Sequence, residues 1–387
     1  MKIAKSVDRL GTEAVYNIFA KTKKLIKEGK EIVDLSLGQS DFKSPPHAVN
    51  AAIEALKVGH HGYTLPNGII ECREAVSRKI KNLYKANIDP ERIVIMPGGK
   101  PTMHYAISFF GEPGAEIIYP DPGFPIYGSM INFTGAKGIP YNMTENKDFS
   151  INPDKIIELI NEKTRLLILN NPHNPTGGFT EKKVIDKLAN SLKNFPNLAI
   201  LSDEVYDRLI FDKKEIPSLL NYPELYDRLI ILNGWSKTYA MTGWRLGWSV
   251  WPEKLIEHVF KFCVNSHSCV NTPAQYGAIA ALDGSENHLN KMMEEFNLRR
   301  NLIVDGLRTL KGVECSMPGG SFFVFPNIEK TGMNGEEFTK RCLQEAGVAM
   351  IPGTAFGKFA TVNVRLNFAT SRENIGKAIE KIDKLLK

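Results

Sequence analysis

Leu166-Leu167-Ile168-Leu169-Asn170-Asn171-Pro172-His173-Asn174-Pro175-Thr176-Gly177-Gly178 runs into a helical pattern over residues 180–194 and then into Leu198-Ala199-Ile200-Leu201-Ser202-Asp203. Neither apolar run alternates with polar residues, so each reads as a strand covered on both faces. Between them Val184, Ile185, Leu188, Ala189 and Leu192 recur at helical spacing. Similar runs lie to either side, at Ile93-Val94-Ile95-Met96, Glu116-Ile117-Ile118-Tyr119 and Leu229-Ile230-Ile231-Leu232. Strand and helix alternate, which predicts an α/β fold with a mostly parallel sheet flanked by helices.

Several of these runs end on polar residues: Asn170 and Asn171, Ser202 and Asp203, and Asn233. In open α/β sheets the ligand lies at the carboxyl ends of the strands, so these positions are candidates from topology alone. After about residue 285 the pattern changes to a long charged helical stretch from Asn287 to Leu310. Two short strand-like runs follow, Ser321-Phe322-Phe323-Val324-Phe325 and Val362-Asn363-Val364-Arg365-Leu366. They predict a smaller α+β domain that packs with an N-terminal helix at Glu13 to Glu28. The expected division is a large domain over residues 44–284 and a small discontinuous one over 1–43 and 285–387. No repeat, low-complexity tract or linker interrupts the chain.

The 387 residues are 43% hydrophobic and 24% charged, which suits a globular chain and neither a disordered nor a collagen-like one. With 49 basic against 43 acidic residues the net charge is +6, without a long basic block, so nucleic acid is not an expected partner. No apolar stretch approaches the roughly 18 residues of a membrane helix, and the first residues lack the apolar core of a signal peptide. A cytoplasmic location with no membrane partner is expected. The five cysteines form an odd set without a C-x-x-C pair, which predicts reduced thiols, no disulfide framework and no metal site.

Four signals carry chemistry. The Asn171–Gly178 loop can aim the Asn174 amide at a ligand, although it would also serve as a plain connection. Asp203, at a strand end among apolar neighbours, needs a cation or donors to offset its burial, or caps a helix. Ser236-Lys237 follows another strand and precedes Met241-Thr242-Gly243-Trp244-Arg245-Leu246-Gly247-Trp248, a setting unlike a solvated face. A lysine in an apolar, cationic surrounding loses its proton more easily, the condition for joining a carbonyl. Gly98-Gly99-Lys100, before a helix expected to begin near Thr102, presents free amides to an anion such as phosphate. It is not a Walker loop, and no G-x-G-x-x-G opens a βαβ unit.

The ordered set of Asn-Pro-x-Asn-Pro-Thr-Gly, Asp203-x-x-Tyr206, Lys237 between Ser236 and Arg245, and Arg365 resembles the fold-type I pyridoxal-phosphate enzymes. Within them it is most similar to class I/II aminotransferases of the aspartate aminotransferase type, from about Asp34 to the C-terminus. The resemblance implies pyridoxal 5'-phosphate as cofactor and a ping-pong exchange between an L-amino acid, aspartate as the best guess, and a 2-oxo acid such as 2-oxoglutarate. An aminotransferase for aromatic or aliphatic amino acids is the alternative, and a pyridoxal-phosphate β-lyase comes after it.

By the same resemblance Lys237 joins the cofactor and shuttles a proton, Asp203 pairs with the pyridine nitrogen, and Tyr206 and Asn174 hydrogen-bond the ring oxygen. Arg245, Ser236 and the amides of Gly99 and Lys100 hold the phosphate, and Phe124 stacks on the ring. Tyr63 reaches the phosphate of a neighbouring subunit, which implies a homodimer. Arg365 forks onto the substrate α-carboxylate with Asn174 and the Gly38 backbone, a task suited to the guanidinium. Part of the family takes a side-chain-carboxylate arginine from the stretch between Arg245 and Arg299. This sequence has none there, and His267 and Ser268 lie near that region. Lys100 is the expected contact for a distal carboxylate instead.

Overall fold

The structure, a computed structural model, describes residues 1–11, 14–212 and 215–387. Its strands are β1 (Val33–Asp34), β2 (Ile93–Met96), β3 (Glu116–Asp121), β4 (Lys137–Asn142), β5 (Thr164–Asn170), β6 (Ala199–Asp203), β7 (Leu229–Gly234), β8 (Gly247–Val250), β9 (Phe323–Val324), β10 (Val348–Ala349), β11 (Ile351–Pro352) and β12 (Val364–Asn367). Seven of them form the central sheet in the order β2-β8-β7-β6-β5-β3-β4. All its pairings are parallel except those of β8, which runs antiparallel to both β2 and β7.

The unbroken apolar runs are explained by two cores, one on each face of this sheet. Ile93, Ile95, Leu167, Leu169, Ile200, Leu229 and Ile231 point to one core, beneath helices Ile70–Tyr84, Lys182–Leu192 and Thr272–Asp283. Val94, Met96, Leu166, Ile168, Leu201, Ile230 and Leu232 point to the other, beneath Lys100–Phe110, Ile126–Thr134 and Ile256–Ser266. Successive strand residues face opposite ways, so a strand buried on both sides needs apolar residues at every position.

Two strands of the central sheet escape the sequence reading. β4 carries Gly138 and Pro140, which weaken any strand signal, and it is the sheet's edge, where a missing N–H is tolerated. β8 is only four residues long and begins inside the Trp- and Gly-rich stretch of residues 241–248. The helix expected near Thr102 begins at Lys100, so Pro101 sits in its first turn, where it has no hydrogen bond to lose. An N-terminal helix runs from Ala14 to Lys27; Glu13, its expected first residue, lies outside the described residues.

A further core gathers Val33 and Leu35 with residues between Leu289 and Ile382, and draws in Tyr206, Leu209 and Phe211 from the middle of the chain. β1 pairs parallel with β10, and β11-β12-β9 make a small antiparallel sheet. Among the described residues no helix is long and apolar enough to cross a membrane. All five cysteines are unpaired.

β8 approaches its neighbours at glycine. A Cβ on Gly247 would stand 2.7 Å from the backbone C and O of Gly98, and one on Gly234 would stand 2.8 Å from the Gly247 Cα. Gly247→Ala therefore forces β8 from the Gly98–Gly99 turn that follows β2, and its expected cost is about 1–3 kcal/mol, read as a lowered urea midpoint at unchanged slope.

Candidate active site

Five connections leave the central sheet at one edge. β6 ends at Asp203, β7 leads to Ser236 and Lys237, and β5 leads into the Asn171–Gly178 loop. β2 leads through Gly98 and Gly99 to the helix Lys100–Phe110, and β3 leads to Phe124 and Tyr127. The topology thus brings together residues far apart in sequence.

Asp203 is buried, and its neighbour Glu204 turns away to Ser202, Ser218 and the Leu219 amide. The Asp203 carboxylate accepts from the Tyr127 hydroxyl at 2.6 Å and from the Val205 amide at 3.2 Å. Burial pushes its pKa up to about 6, against the pull of Tyr127, Val205 and the charge of Lys237. It caps no regular helix; the chain after it forms turns.

Lys237 Nζ donates to the Gly38 carbonyl at 2.6 Å and lies 5.5 Å from the Phe322 ring centroid and 5.9 Å from that of Tyr206. Burial, reinforced by the positive charges of Arg365, Arg245 and Lys100, brings its pKa down to about 8, with Asp203 opposing. About one amine in ten is then neutral at pH 7, whereas an ordinary lysine holds its proton there almost completely. The Tyr206 phenol, packed edge-on against Phe322 and Phe323, is pushed upward by burial and stays protonated.

Arg365 is buried with its guanidinium 4.4 Å from the Phe323 centroid and 4.7 Å from that of Phe356. It donates to Asn174 Oδ1 at 3.1 Å and to the Ser36 carbonyl at 2.6 Å. Asn174 is held in turn, because its backbone N–H donates to Asn170 Oδ1. Asn171 braces the loop through a reciprocal pair of bonds with the Thr180 backbone.

A cradle of donors lies at the start of Lys100–Phe110. Arg245 folds against Gly98 so closely that a Cβ there would fall 2.2 Å from its Nη2, and Arg245 Nη1 donates to the Thr242 carbonyl. Gly99 caps the helix, so its first amides and positive dipole end face the same place. Lys100 Nζ lies 5.4 Å from the Tyr16 centroid and 5.6 Å from that of Phe124. Phe124 is half-buried and meets Tyr127 edge-on.

Tyr63 stands apart. It is 93% exposed and lines an open groove of about 290 Å³ with Thr64, Pro66, Val264, Ser268 and Cys269. His267 hydrogen-bonds Ser266 and Tyr105 through Nδ1, and burial lowers its pKa, so it is a poor substitute for the positive charge of an arginine. Ser268 is exposed with φ of 60°. Beside Lys100 a cavity of about 740 Å³ is lined by His104, Tyr105, Ile126, Met130 and Phe262. Tyr127 and Ser36 were not singled out from sequence. Nothing local distinguishes a tyrosine in a helix, or a backbone carbonyl, as a partner of a residue many positions away.

Residues 30–382 match the family model described as aminotransferase class I and II. A probable aspartate aminotransferase of Methanocaldococcus jannaschii is 37% identical over 355 residues, 90% of this chain and 92% of its own. An aromatic-amino-acid aminotransferase 2 of Thermococcus litoralis is 34% identical over 92% of each chain. Among solved structures, the aspartate aminotransferase from Thermus thermophilus with maleate superimposes with a TM-score of 0.94 at 30% identity, over 100% of both chains.

The lowered basicity of Lys237 is measurable by itself. On ligand-free protein, reductive methylation with formaldehyde and cyanoborohydride, followed by peptide mass spectrometry, should label Lys237 with a half-maximum near pH 8, while exposed lysines follow near their ordinary value. A Lys237 profile that coincides with theirs contradicts this electrostatic account.

Proposed function

Because the chain belongs to the aminotransferase class I and II family, which is pyridoxal-phosphate-dependent, we propose that it moves the amino group of aspartate to 2-oxoglutarate by a ping-pong route. The carrying observation is the opposed pair at the sheet edge: a lysine with its pKa brought down to about 8, and a buried carboxylate pushed up to about 6.

The residues fit pyridoxal 5'-phosphate. Asp203 has two neutral donors and a desolvated charge that a protonated ring nitrogen would balance. Such a pair at ~4 Å contributes about 4 kcal/mol at an effective dielectric of 20, before desolvation. The cradle of Gly98, Gly99, Lys100 and Arg245 suits a phosphate, with Ser236 half-buried beside Lys237. When bound, the cofactor supplies an aldehyde that captures amines and a ring that accepts the electrons left as the substrate Cα–H bond breaks.

The chain's own residues divide the work. Lys237 Nζ, neutral in part near pH 7, takes the Cα proton and returns it. Asp203 would keep the ring nitrogen protonated, and Tyr206 and Asn174 would donate to the ring oxygen. Phe124 would cover the ring's face. Arg365, already aligned by Asn174 and Ser36, forks onto the α-carboxylate beside the Gly38 backbone. Lys100 meets the distal carboxylate of a dicarboxylic substrate; the relative solved with maleate, a dicarboxylate, supports this.

A second reading, an aromatic amino donor, is favoured by the cavity beside Lys100 and by the Thermococcus relative. Initial rates with a panel of donors and 2-oxoglutarate separate the two, and ammonia release would mark a lyase. Lys100→Ala should lower kcat/KM for aspartate by about tenfold or more while sparing alanine, as expected for one charge-assisted contact; equal losses contradict the assignment. Lys237→Ala should abolish turnover.

In this reading the working form is a homodimer, supported by the outward Tyr63 beside its groove. Lys237→Ala and Tyr63→Ala chains mixed and refolded together should recover activity above either alone, because one site of each hybrid has both residues. No recovery in verified hybrids contradicts a Tyr63 contributed by the neighbour.

A further inference from the structure

We propose that Tyr127 is a positioning residue of this site, acting through Asp203 to set how strongly the carboxylate holds the cofactor's ring nitrogen. The proposal rests on the pairing of Asp203 with that nitrogen argued above.

Three observations carry it. The Tyr127 hydroxyl donates to Asp203 Oδ2 at 2.6 Å, with both residues buried away from competing water. The other carboxylate oxygen, Oδ1, takes the Val205 amide at 3.2 Å. A carboxylate has about four acceptor positions, so these two donors fix its plane and leave capacity for a cation. The hydroxyl also reaches across the sheet: it stands on the helix after β3, whereas Asp203 ends β6, with β5 between them. Asn170 at the end of β5 ties the same junction by donating to the Asp203 carbonyl.

The chemistry is one-directional. Burial and the Asp203 charge drive the Tyr127 phenol upward, so it remains a neutral donor at any working pH. Its hydrogen bond is the largest influence opposing the effect of burial on Asp203, ahead of Val205 and Lys237. Without it the carboxylate has one donor fewer and a freer orientation. Tyr127 also packs edge-on against Phe124, with ring centroids 6.0 Å apart and planes at 83°. The donor to Asp203 and the aromatic ring proposed to cover the cofactor are thus braced by one contact.

The test compares pyridoxal phosphate with its 1-deaza analogue, in which carbon replaces the ring nitrogen. Full-length wild type, Tyr127→Phe, Asp203→Asn and Tyr141→Phe are each equilibrated with either ligand, and dissociation constants are read by equilibrium dialysis. Tyr141→Phe is the packing control, since it removes another buried hydroxyl, one that donates to the Ile168 carbonyl. Tyr127→Phe should weaken pyridoxal phosphate about tenfold, the scale of one hydrogen bond to a charged group, and leave the deaza analogue unchanged. Equal losses for the two ligands, no loss for either, or the same selective loss in Tyr141→Phe overturns the proposal. If Asp203→Asn discriminates between the ligands and Tyr127→Phe does not, the proposal alone falls. If Asp203→Asn does not discriminate, the pairing of Asp203 with the ring nitrogen falls with it.

Discussion

Burial acts on two groups of opposite charge in one cleft, and the rest of the structure serves that constraint. Removing water disfavours whichever form is charged, so the same environment lifts the Asp203 carboxyl and lowers the Lys237 ammonium. One group is left seeking a cation and the other is readier to act as a base. The sheet holds Asp203 at the end of β6 and Lys237 just past the end of the neighbouring β7, and β6–β7 pairing of Asp203 with Leu232 limits how far they can separate.

Local charge, and not the modest net charge of +6, sets the character of the cleft. Arg365, Arg245 and Lys100 come from three distant parts of the chain, and all three depress the Lys237 pKa. Each has another use for its charge in the proposed reaction, toward an α-carboxylate, a phosphate and a distal carboxylate. Anionic ligands that neutralise these residues would also relax the pressure on Lys237. Its basicity is therefore coupled to occupancy of the site.

The strand runs at Ile93, Glu116, Leu166, Leu198 and Leu229 were legible because a doubly covered strand leaves an unbroken apolar signature. β4 was not, since at the sheet edge Gly138 and Pro140 are tolerated and erase that signature. The antiparallel β8 was equally silent: four residues of Gly-Trp-Ser-Val gain strand geometry only from β2 and β7 on either side. In the cleft, Asp203, Lys237, Asn174 and Arg365 were found through an ordered motif. The partners that tune them, Tyr127 and Ser36, share no motif with them. His267 sat in sequence near a missing arginine, and only its burial shows how poorly it would carry that charge.

By itself the sequence determined the alternation of strand and helix, the polar residues at strand ends and the set of reactive side chains. These follow from periodicity and residue chemistry within a few positions of each other. Tertiary structure alone decided which hydroxyl meets Asp203, which carbonyl holds Lys237 and how far each pKa moves. Those are sums over groups brought together from distant segments, and desolvation and Coulomb interaction depend on distance in space, which local pattern does not encode.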